Sequence, residues 1–421
     1  MHVLLLGGGG REHALAWAIR ANPKCDRLTV APGNPGIAEL ADCVALDICD
    51  GAAVTAFARA EGVDLVVIGP EAPLAAGVAD ALAAAGIPHV GPTAAAARLE
   101  TSKSFTKEIC DACGAPTAAW ARFEALDPAL AHLRAQGAPI VVKADGLAAG
   151  KGVTVARTLA EAEAAVRAIL DGAAPGTCLV IEEFMAGEEA SFFVLCDGTD
   201  VLEIGTAQDH KRAFDGDTGP NTGGMGAYSP APVVTPAIAA EVMARIIRPT
   251  LAEMARRGTP FRGILYAGLM IADGRARLVE YNTRLGDPEA QVLAMRLGAQ
   301  LLDLLQACAE GRLAGMSVNW AEDHALCVVM ATRGYPGPHG QGSPIGGLDR
   351  IPPSSRLMVF HAGTRRAGDR LEAAGGRVLG ITARERTLRA ARDAAYAAMA
   401  LIDWPEGFCR RDIGARALPP S

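Results

Sequence analysis

The first ninety-two residues alternate short apolar runs with stretches in which hydrophobic positions recur at helical spacing. Helices are predicted at about 11–21, 52–62 and 73–85. The apolar runs predict five strands, at Val3–Leu6, Leu28–Ala31, Val44–Leu46, Leu65–Ile68 and His89–Val90. Because alternating strands and helices are typical of parallel, doubly wound sheets, we expect an α/β domain with ligand-binding loops at the carboxyl ends of its strands.

Three loops after these strands are rich in glycine or proline: Gly7–His13, Pro32–Gly36 and Gly69–Glu71. Glycine lets backbone N–H groups approach an anion, and a helix beginning near Arg11 adds the positive end of its dipole. A nicotinamide or flavin site is disfavoured, since His13 stands where the third glycine of that motif should be. His13 itself fits either a catalytic base or a residue that holds the loop.

A second glycine-rich loop, Ala144–Gly152, joins the predicted strands Ile140–Lys143 and Val153–Val155. It is not a phosphate loop of the Walker type, because Gly152 replaces the hydroxyl residue and a strand, not a helix, follows. We interpret it as a lid that covers phosphates, with Lys143 and Lys151 supplying charge. A surface hairpin without a ligand is the alternative.

Polar residues at two positions predict helix starts. Thr101 or Ser102 can cap a helix that begins near Lys103. Thr158 and Glu161 form the pattern of a capping box, which predicts a helix to about Leu170.

Further along, Asp273-Gly274 predicts a tight turn between the strands Ile264–Ile271 and Arg277–Tyr281. Side chains on a strand alternate between faces, so Glu280, Asn282 and Arg284 should share one face. The first two offer the oxygen ligands that Mg²⁺ prefers, and the arginine offers a fork for phosphate or carboxylate. A surface ion pair is the competing interpretation.

Residues 209–230 are too rich in charge and glycine to form a core element. We interpret this stretch as a structured loop that binds polar ligands, with disorder as the alternative. Two arginine pairs, Arg365-Arg366 and Arg410-Arg411, are predicted to be solvated charge. The Cys110-x-x-Cys113 pair lies in a helical pattern with no second pair, which favours packing over zinc or redox chemistry.

Length and composition add limits to this picture. A chain of 421 residues is long enough for about three domains and a cleft between them. The net charge of -7 argues against non-specific nucleic-acid binding, and ten scattered cysteines suit a reduced cytoplasm. No apolar run reaches the length of a membrane span, and we expect neither a signal peptide nor a further domain fused after Ser421.

Taken in order, the motifs resemble the ATP-grasp ligases, and among them the phosphoribosylamine–glycine ligases of purine biosynthesis. The resemblance extends from Gly8–His13 to Cys409–Gly414. Its most specific parts are Lys143–Val153, Gln208–Arg212, Asp217–Pro232 and Arg284–Glu289. Two positions depart from the pattern: Gly8 stands where asparagine is expected, and Leu285 stands where phenylalanine is usual.

The resemblance implies an α/β protein with the ATP-grasp fold. A doubly wound parallel-sheet domain should occupy residues 1–100, an ATP-grasp domain 101–325, and a small α+β domain 326–421; a lid subdomain should span about 119–188. The implied reaction joins glycine to 5-phosphoribosylamine with ATP, through glycyl phosphate. The implied protein is a cytoplasmic monomer with small-molecule substrates and neither nucleic acid nor membrane as a partner.

The resemblance also implies roles for individual residues. Glu280 and Asn282 should hold Mg²⁺ or Mn²⁺, and Arg284, Lys143 and Asp209 should be catalytic. Within the ATP site, Glu182 and Phe184 should contact adenine, and Glu189 the ribose. The full set implied for ATP is Lys103, Lys143, Gly150, Lys151, Gly152, Glu182, Glu183, Phe184 and Glu189. The set implied for the two other substrates is Gly9, Gly10, Arg11, Glu12, Asn34, Glu71, Asp209, Lys211, Asn221, Thr222, Gly223, Gly224, Asp287, Pro288 and Glu289.

Three other interpretations stay open at this point. The chain could be another carboxylate–amine ligase, or a bicarbonate-using enzyme, of the same fold. It could also be a nucleotide-binding regulator without catalysis, although intact metal-ligand and cationic residues argue against that: Glu280, Asn282, Lys143 and Arg284. A nicotinamide dehydrogenase is the third alternative, and it predicts NADH binding through Gly7–Gly10.

Overall fold

The computed structural model describes residues 1–146, 152–320 and 322–418. Its N-terminal part is a five-stranded parallel sheet in the order β3-β2-β1-β4-β5, which confirms the predicted doubly wound arrangement. The strands are β1 (His2–Gly7), β2 (Arg27–Pro32), β3 (Asp42–Cys43), β4 (Leu65–Ile68) and β5 (His89–Val90). The helices are α1 (Gly10–Arg20), α2 (Gly51–Ala60), α3 (Glu71–Ala75), α4 (Val78–Ala84) and α5 (Ala94–Thr101).

Two predicted elements of this part were wrong. The strand expected at Val44–Leu46 lies earlier in the chain, as the two-residue edge strand β3. The Val44 N–H still donates to the Val30 carbonyl at 3.0 Å, and Val44 and Leu46 are partly buried against the core. The single helix expected over 73–85 is two helices, α3 and α4. Gly77 separates them with φ of +79°, a left-handed conformation that an α-helix cannot contain.

Residues 119–188 contain a separate four-stranded antiparallel sheet in the order β6-β9-β7-β8, with two helices packed on it. Helix α6 (Lys103–Cys113) precedes this sheet and holds both Cys110 and Cys113, as predicted. The capping box of Thr158 and Glu161 is also confirmed. The elements are β6 (Trp120–Phe123), α7 (Leu126–Gln136), β7 (Ile140–Ala144), β8 (Val153–Ala156), α8 (Leu159–Leu170) and β9 (Leu179–Glu183).

The remaining strands build a nine-stranded sheet. In it, C-terminal strands continue the sheet of β16, β15, β10, β11 and β14 through the β14–β17 pairing. Its main path runs β16-β15-β10-β11-β14-β17-β22-β19, and β23 also pairs with β17. Small sheets β12-β13 and β18-β21-β20 lie beside it. The first elements are β10 (Glu188–Asp197), β11 (Val201–Asp209), β12 (Arg212–Phe214), β13 (Thr218–Asn221), β14 (Gly226–Ser229), α9 (Pro236–Val242), α10 (Arg248–Arg256), β15 (Arg262–Ala272) and β16 (Arg275–Asn282). The later ones are α11 (Glu289–Leu297), α12 (Gln300–Ala309), β17 (His324–Thr332), β18 (Pro344–Ile345), β19 (Leu357–His361), β20 (Thr364–Ala367), β21 (Arg370–Ala373), β22 (Arg377–Glu385), α13 (Leu388–Met399) and β23 (Gly407–Phe408).

The predicted hairpin between β15 and β16 is confirmed. Asp273 and Gly274 have φ of 51° and 70°, the signs that a tight two-residue hairpin turn requires. This turn sets the register that carries Glu280 and Asn282 to the end of β16. In α11, the first helix after β16, every residue is buried. This helix packs against α1 and against the nine-stranded sheet.

Within the described parts of the chain, no single helix is long and apolar enough to cross a membrane. The bent pair α11 and α12, whose axes differ by 104°, reaches such a length and composition only in combination.

Candidate active site

A cavity of about 720 Å³ lies where four parts of the chain meet. These are the N-terminal sheet, the four-stranded sheet β6-β9-β7-β8 (here called the lid sheet), β16 and the C-terminal strands. The nucleotide and metal residues predicted from the sequence that line it are Lys103, Lys143, Gly152, Glu182, Glu183, Phe184, Glu189, Glu280 and Asn282. The other predicted residues on its wall are Arg11, Glu71, Asp209, Lys211, Asn221, Thr222, Gly223, Arg284, Asp287 and Glu289. The sequence therefore predicted most of the polar wall of one cavity.

Some predicted residues do not line this cavity: Gly9, Gly10, Glu12, Asn34, Gly224 and Pro288. Two of them instead fix the backbone near the cavity: Glu12 within its own loop, and Asn34 between separate segments. Glu12 accepts hydrogen bonds from the Gly9 N–H at 2.7 Å and from Arg11 Nε at 2.6 Å. The Asn34 amide donates to the carbonyls of Gly8 at 3.0 Å and His361 at 2.9 Å. Gly150 and Lys151 lie outside the described residues.

A buried cluster of two lysines and one glutamate forms one wall. Glu182 lies between Lys107 and Lys143, with Oε2 3.0 Å from Lys107 Nζ and Oε1 2.9 Å from Lys143 Nζ. All three side chains are at most 4% exposed. Because a single carboxylate serves two ammonium groups, this cluster carries a net positive charge that suits a polyphosphate. Its glutamate side chain is thus committed to the two lysines.

A third lysine, Lys103, lies at the start of α6. Of the two candidate caps, Ser102 is the one that caps this helix, accepting from the Phe105 N–H at 3.2 Å, whereas Thr101 ends α5. Lys103 Nζ donates to the Gly146 carbonyl at 2.6 Å, and Asp145 accepts from the Lys103 N–H. Burial lowers the pKa of Lys103, against the opposing pull of Glu280. These contacts join Asp145 and Gly146, in the loop predicted to be a lid, to the start of α6.

Next to this wall, Glu183 and Phe184 leave the lid sheet. Glu183 forms a two-point ion pair with Arg277 at 3.1 and 2.7 Å, and the Arg157 guanidinium lies 4.8 Å from the centre of the Phe184 ring. Phe184 thus lines the cavity, with the Arg157 guanidinium over its ring.

The proposed metal ligands lie on the same wall. Among the described residues, the Glu280 carboxylate accepts no hydrogen bond and forms no ion pair within 4 Å, while Asn282 Oδ1 accepts from Arg284 Nη2 at 3.3 Å. No group of three or more His, Cys, Asp or Glu residues able to hold a metal occurs in the described chain. Two oxygen ligands fit Mg²⁺, which usually binds through one or two carboxylates plus waters and substrate phosphates.

Arg284 lies at the centre of a carboxylate network. Its Nη2 is 2.7 Å from Glu100 Oε1, and its Nε is 3.4 Å from Glu71 Oε2. Burial acts to lower the pKa of Arg284, but Glu100 and Glu71 outweigh burial and raise it. Glu100 also accepts from the Thr283 N–H at 2.8 Å, so α5 fixes the chain that follows β16.

An acidic group occupies the far end of the cavity. Tyr266 donates to Glu289 Oε1 at 3.0 Å, and Lys211 Nζ contacts Glu189 Oε2 at 2.5 Å. Asp209 lies beside both pairs, and burial, reinforced by Glu289 and Glu189 against the pull of Lys211, raises its pKa to about 7. A carboxyl group that changes its charge near neutral pH can accept or return a proton there.

Sequence reasoning missed seven polar residues of the wall: Glu100, Thr106, Lys107, Tyr266, Tyr281, Tyr335 and Arg377. A signal existed for Lys107, which is four residues after Lys103 on one helix and therefore on the same face. No local signal marks Arg377, which reaches from β22 to Asp287 Oδ2 at 3.5 Å and to the Gly224 carbonyl at 3.3 Å. Tyr335 accepts from the Gly223 N–H at 3.0 Å.

Comparisons with known proteins agree with this arrangement. Three family models match in order: the N domain of phosphoribosylglycinamide synthetase over residues 1–100, its ATP-grasp domain over 101–290, and its C domain over 325–416. The chain belongs to the phosphoribosylglycinamide synthetase family. The resemblance seen in the sequence is thereby confirmed.

Relatives of this family cover the whole chain. A protein of Mesorhizobium japonicum named phosphoribosylamine–glycine ligase is 58% identical over 99% of both chains, and one of Agrobacterium fabrum with the same name is 56% identical over the same shares. The crystal structure of the phosphoribosylamine–glycine ligase from Thermotoga maritima superposes with a TM-score of 0.84, at 29% identity, over 98% of this chain and 100% of that one.

A more distant likeness supports the fold alone. The biotin carboxylase domain of a 2-oxoglutarate carboxylase from Hydrogenobacter thermophilus, in complex with MgADP and bicarbonate, has a TM-score of 0.72 at 17% identity over 97% of this chain and 91% of that one. The predicted ATP-grasp fold is confirmed.

Proposed function

We propose that this protein joins glycine to 5-phosphoribosylamine, converting ATP to ADP and phosphate and forming glycinamide ribonucleotide. The observation that carries the proposal is the single cavity that joins two kinds of wall. One wall is the lysine cluster around Glu182 with Glu280 beside it; the other is the buried group of Asp209, Lys211 and Glu289. A ligase needs both, since a phosphoryl group and an amine must reach the same carboxylate.

In the first step, a glycine carboxylate oxygen attacks the γ-phosphorus of ATP, ADP leaves, and glycyl phosphate forms. Phosphoryl transfer depends on in-line positioning and on neutralising the oxygens of the transferred group. We assign Lys103 and Lys143 to the phosphate chain and Arg284 to the transferred group, since all three line the cavity. Glu280 and Asn282 would hold Mg²⁺ or Mn²⁺, which when bound neutralises phosphate charge.

In the second step, the amine nitrogen of phosphoribosylamine attacks the glycyl carbonyl carbon, and phosphate leaves with the oxygen that it received. The attacking nitrogen must then lose a proton. We assign this role to Asp209, because it lines the cavity and its pKa is raised to about 7. Asp287 and Glu289, held by Arg377 and Tyr266, shape the glycine end.

This assignment predicts an acid limb in the pH profile. Below about pH 7 Asp209 holds a proton and cannot accept another, so kcat/KM for glycine should rise with pH through about 7. Asp209→Asn should remove the limb and lower kcat by about 100-fold or more. The exposed Asp200→Asn is the matched control and should keep the limb. An unchanged limb in Asp209→Asn would exclude Asp209 as the titrating group.

The proposed reaction is tested by ADP release with ATP, Mg²⁺, glycine and freshly generated 5-phosphoribosylamine. ADP should appear only when both co-substrates are present, in a one-to-one ratio with glycinamide ribonucleotide. Release that continues without glycine or without the amine would contradict the ligase proposal.

The same proposal includes the setting in which the reaction occurs. We propose a cytoplasmic enzyme that acts as a monomer on small molecules, without nucleic acid or membrane as a partner. Its net charge of -7 supports the part of this proposal that concerns nucleic acid, since an acidic protein repels polyanions. Light scattering of the purified protein, with and without ATP, tests the oligomeric state.

A further inference from the structure

The segment Arg410–Arg416, near the end of the described chain, lies against the loop that carries Asp209 and Lys211. We name it the C-terminal clasp. None of its residues lines the cavity, so the proposed reaction gives it no role. Its sequence was nevertheless among the motifs that carried the family resemblance.

Arg410 is the centre of the clasp. Its guanidinium binds Asp412 through two parallel contacts of 2.8 and 2.7 Å, and its Nη1 lies 2.7 Å from Asp217 Oδ1 and 3.1 Å from the Arg212 carbonyl. The side chain is only 1% exposed, so the prediction that Arg410 is solvated charge was wrong. A fixed guanidinium fork between two carboxylates is a strong and directional contact.

Four further contacts join the same two segments. The Arg411 N–H donates to Asp215 at 2.7 Å, and Asp412 accepts from the Gly216 N–H at 2.9 Å. The remaining two reach the residues next to the cavity: the Gly414 N–H donates to His210 Nε2 at 3.0 Å, and Arg416 Nη2 donates to the Asp209 carbonyl at 2.7 Å.

These contacts hold the chain on both sides of Lys211: at Asp209 and His210 before it, and between Arg212 and Asp217 after it. Asp209 and Lys211 point into the cavity, whereas His210, between them, is buried and faces the clasp. The strand pair β12-β13, which continues to the cavity residue Asn221, is fixed through Asp217. The clasp therefore sets where two cavity side chains stand without touching a ligand itself.

We infer that Arg410 and Arg416 are positioning residues for the glycine and amine end of the cavity, acting through Asp209 and Lys211. The inference rests on the proposed function for its kinetic consequence, but the structural link does not depend on which substrates bind. Displacing a reacting group by about 1 Å can cost a factor of about 100 in rate. Among the described residues, the lysine cluster around Glu182 and Lys103 has no hydrogen bond or ion pair with the clasp, whereas Glu189, the residue implied for the ribose, pairs with Lys211.

The test compares Arg410→Met, Arg416→Met and Arg411→Met in the full chain. Arg411 is exposed and only its backbone enters the clasp, so Arg411→Met is the matched control. Arg416 is also exposed, which keeps that variant folded if Arg410→Met is not. The expected result is a drop in kcat/KM for glycine of about 10- to 100-fold in the first two variants, with a clearly smaller change in KM for ATP, which reaches the clasped loop only through Glu189.

Hydrogen exchange of the ligand-free protein gives a readout that needs no reaction. Backbone amides of residues 209–222 should exchange faster in Arg410→Met and Arg416→Met, and at the wild-type rate in Arg411→Met. Unchanged exchange, or equal losses for ATP and glycine in Arg416→Met, would overturn the inference. A wild-type protein without ligase activity would instead refute the proposed function, and the exchange result would still decide the role of the clasp.

Discussion

Glu280→Gln should lower kcat by about 100- to 1,000-fold while leaving the free energy of unfolding almost unchanged. The carboxylate of Glu280 lines the cavity but accepts no hydrogen bond from any described residue, so the fold loses no direct contact when its charge is removed. A bound divalent cation, in contrast, loses the only charged member of its proposed pair of protein ligands. Function and stability should therefore separate at this residue.

The measurement is a Mg²⁺ titration of turnover together with a thermal melt. The variant should need several-fold more Mg²⁺ and should melt within a few degrees of wild type. Glu188→Gln, the same change at an exposed glutamate on β10 of the same sheet, is the control and should alter neither quantity. Equal losses of melting temperature and activity in Glu280→Gln would show that the residue is structural.

The sequence predicted the features that local patterns control. The Asp273-Gly274 turn set the register of β16 up to Leu278; the register then shifts by one residue, and Glu280 and Asn282 both line the cavity at the end of the strand. Caps at Ser102 and Thr158 fixed two helix starts. Each of these features depends on residues within a few positions of one another, so one sequence sufficed.

The missed features depend on contacts between distant parts of the chain. Arg377 meets Asp287 across ninety residues, and Arg410 meets Asp217 across nearly two hundred. Charge alone made Arg410 look like a surface residue, because burial of its guanidinium is decided by acids that no local pattern connects to it. The prediction of a strand at Val44–Leu46 was wrong for a related reason: apolar side chains can pack against the core from a segment that is not a strand.

Glu182→Gln is expected to have the largest effect on stability, lowering the free energy of unfolding by about 3–5 kcal/mol. The wild-type carboxylate compensates two lysines, and burial already lowers the pKa of Lys107. Glutamine fills a similar volume but leaves both ammonium groups buried without a counter-charge. The loss should concentrate in the lid, because Lys107 also donates to Thr117 at 2.7 Å, in the segment that leads into β6.

Chemical denaturation and hydrogen exchange of β9 measure this effect. Glu183→Gln is the matched control: its ion pair with Arg277 is about 40% exposed on each side, so that variant should lose no more than about 1 kcal/mol. Adding Lys107→Met to Glu182→Gln should recover part of the lost stability, because it removes one uncompensated cation. If the second substitution gave no recovery, the cost of Glu182→Gln would come from packing, and Glu182 would not be the counter-ion that holds Lys143 in place.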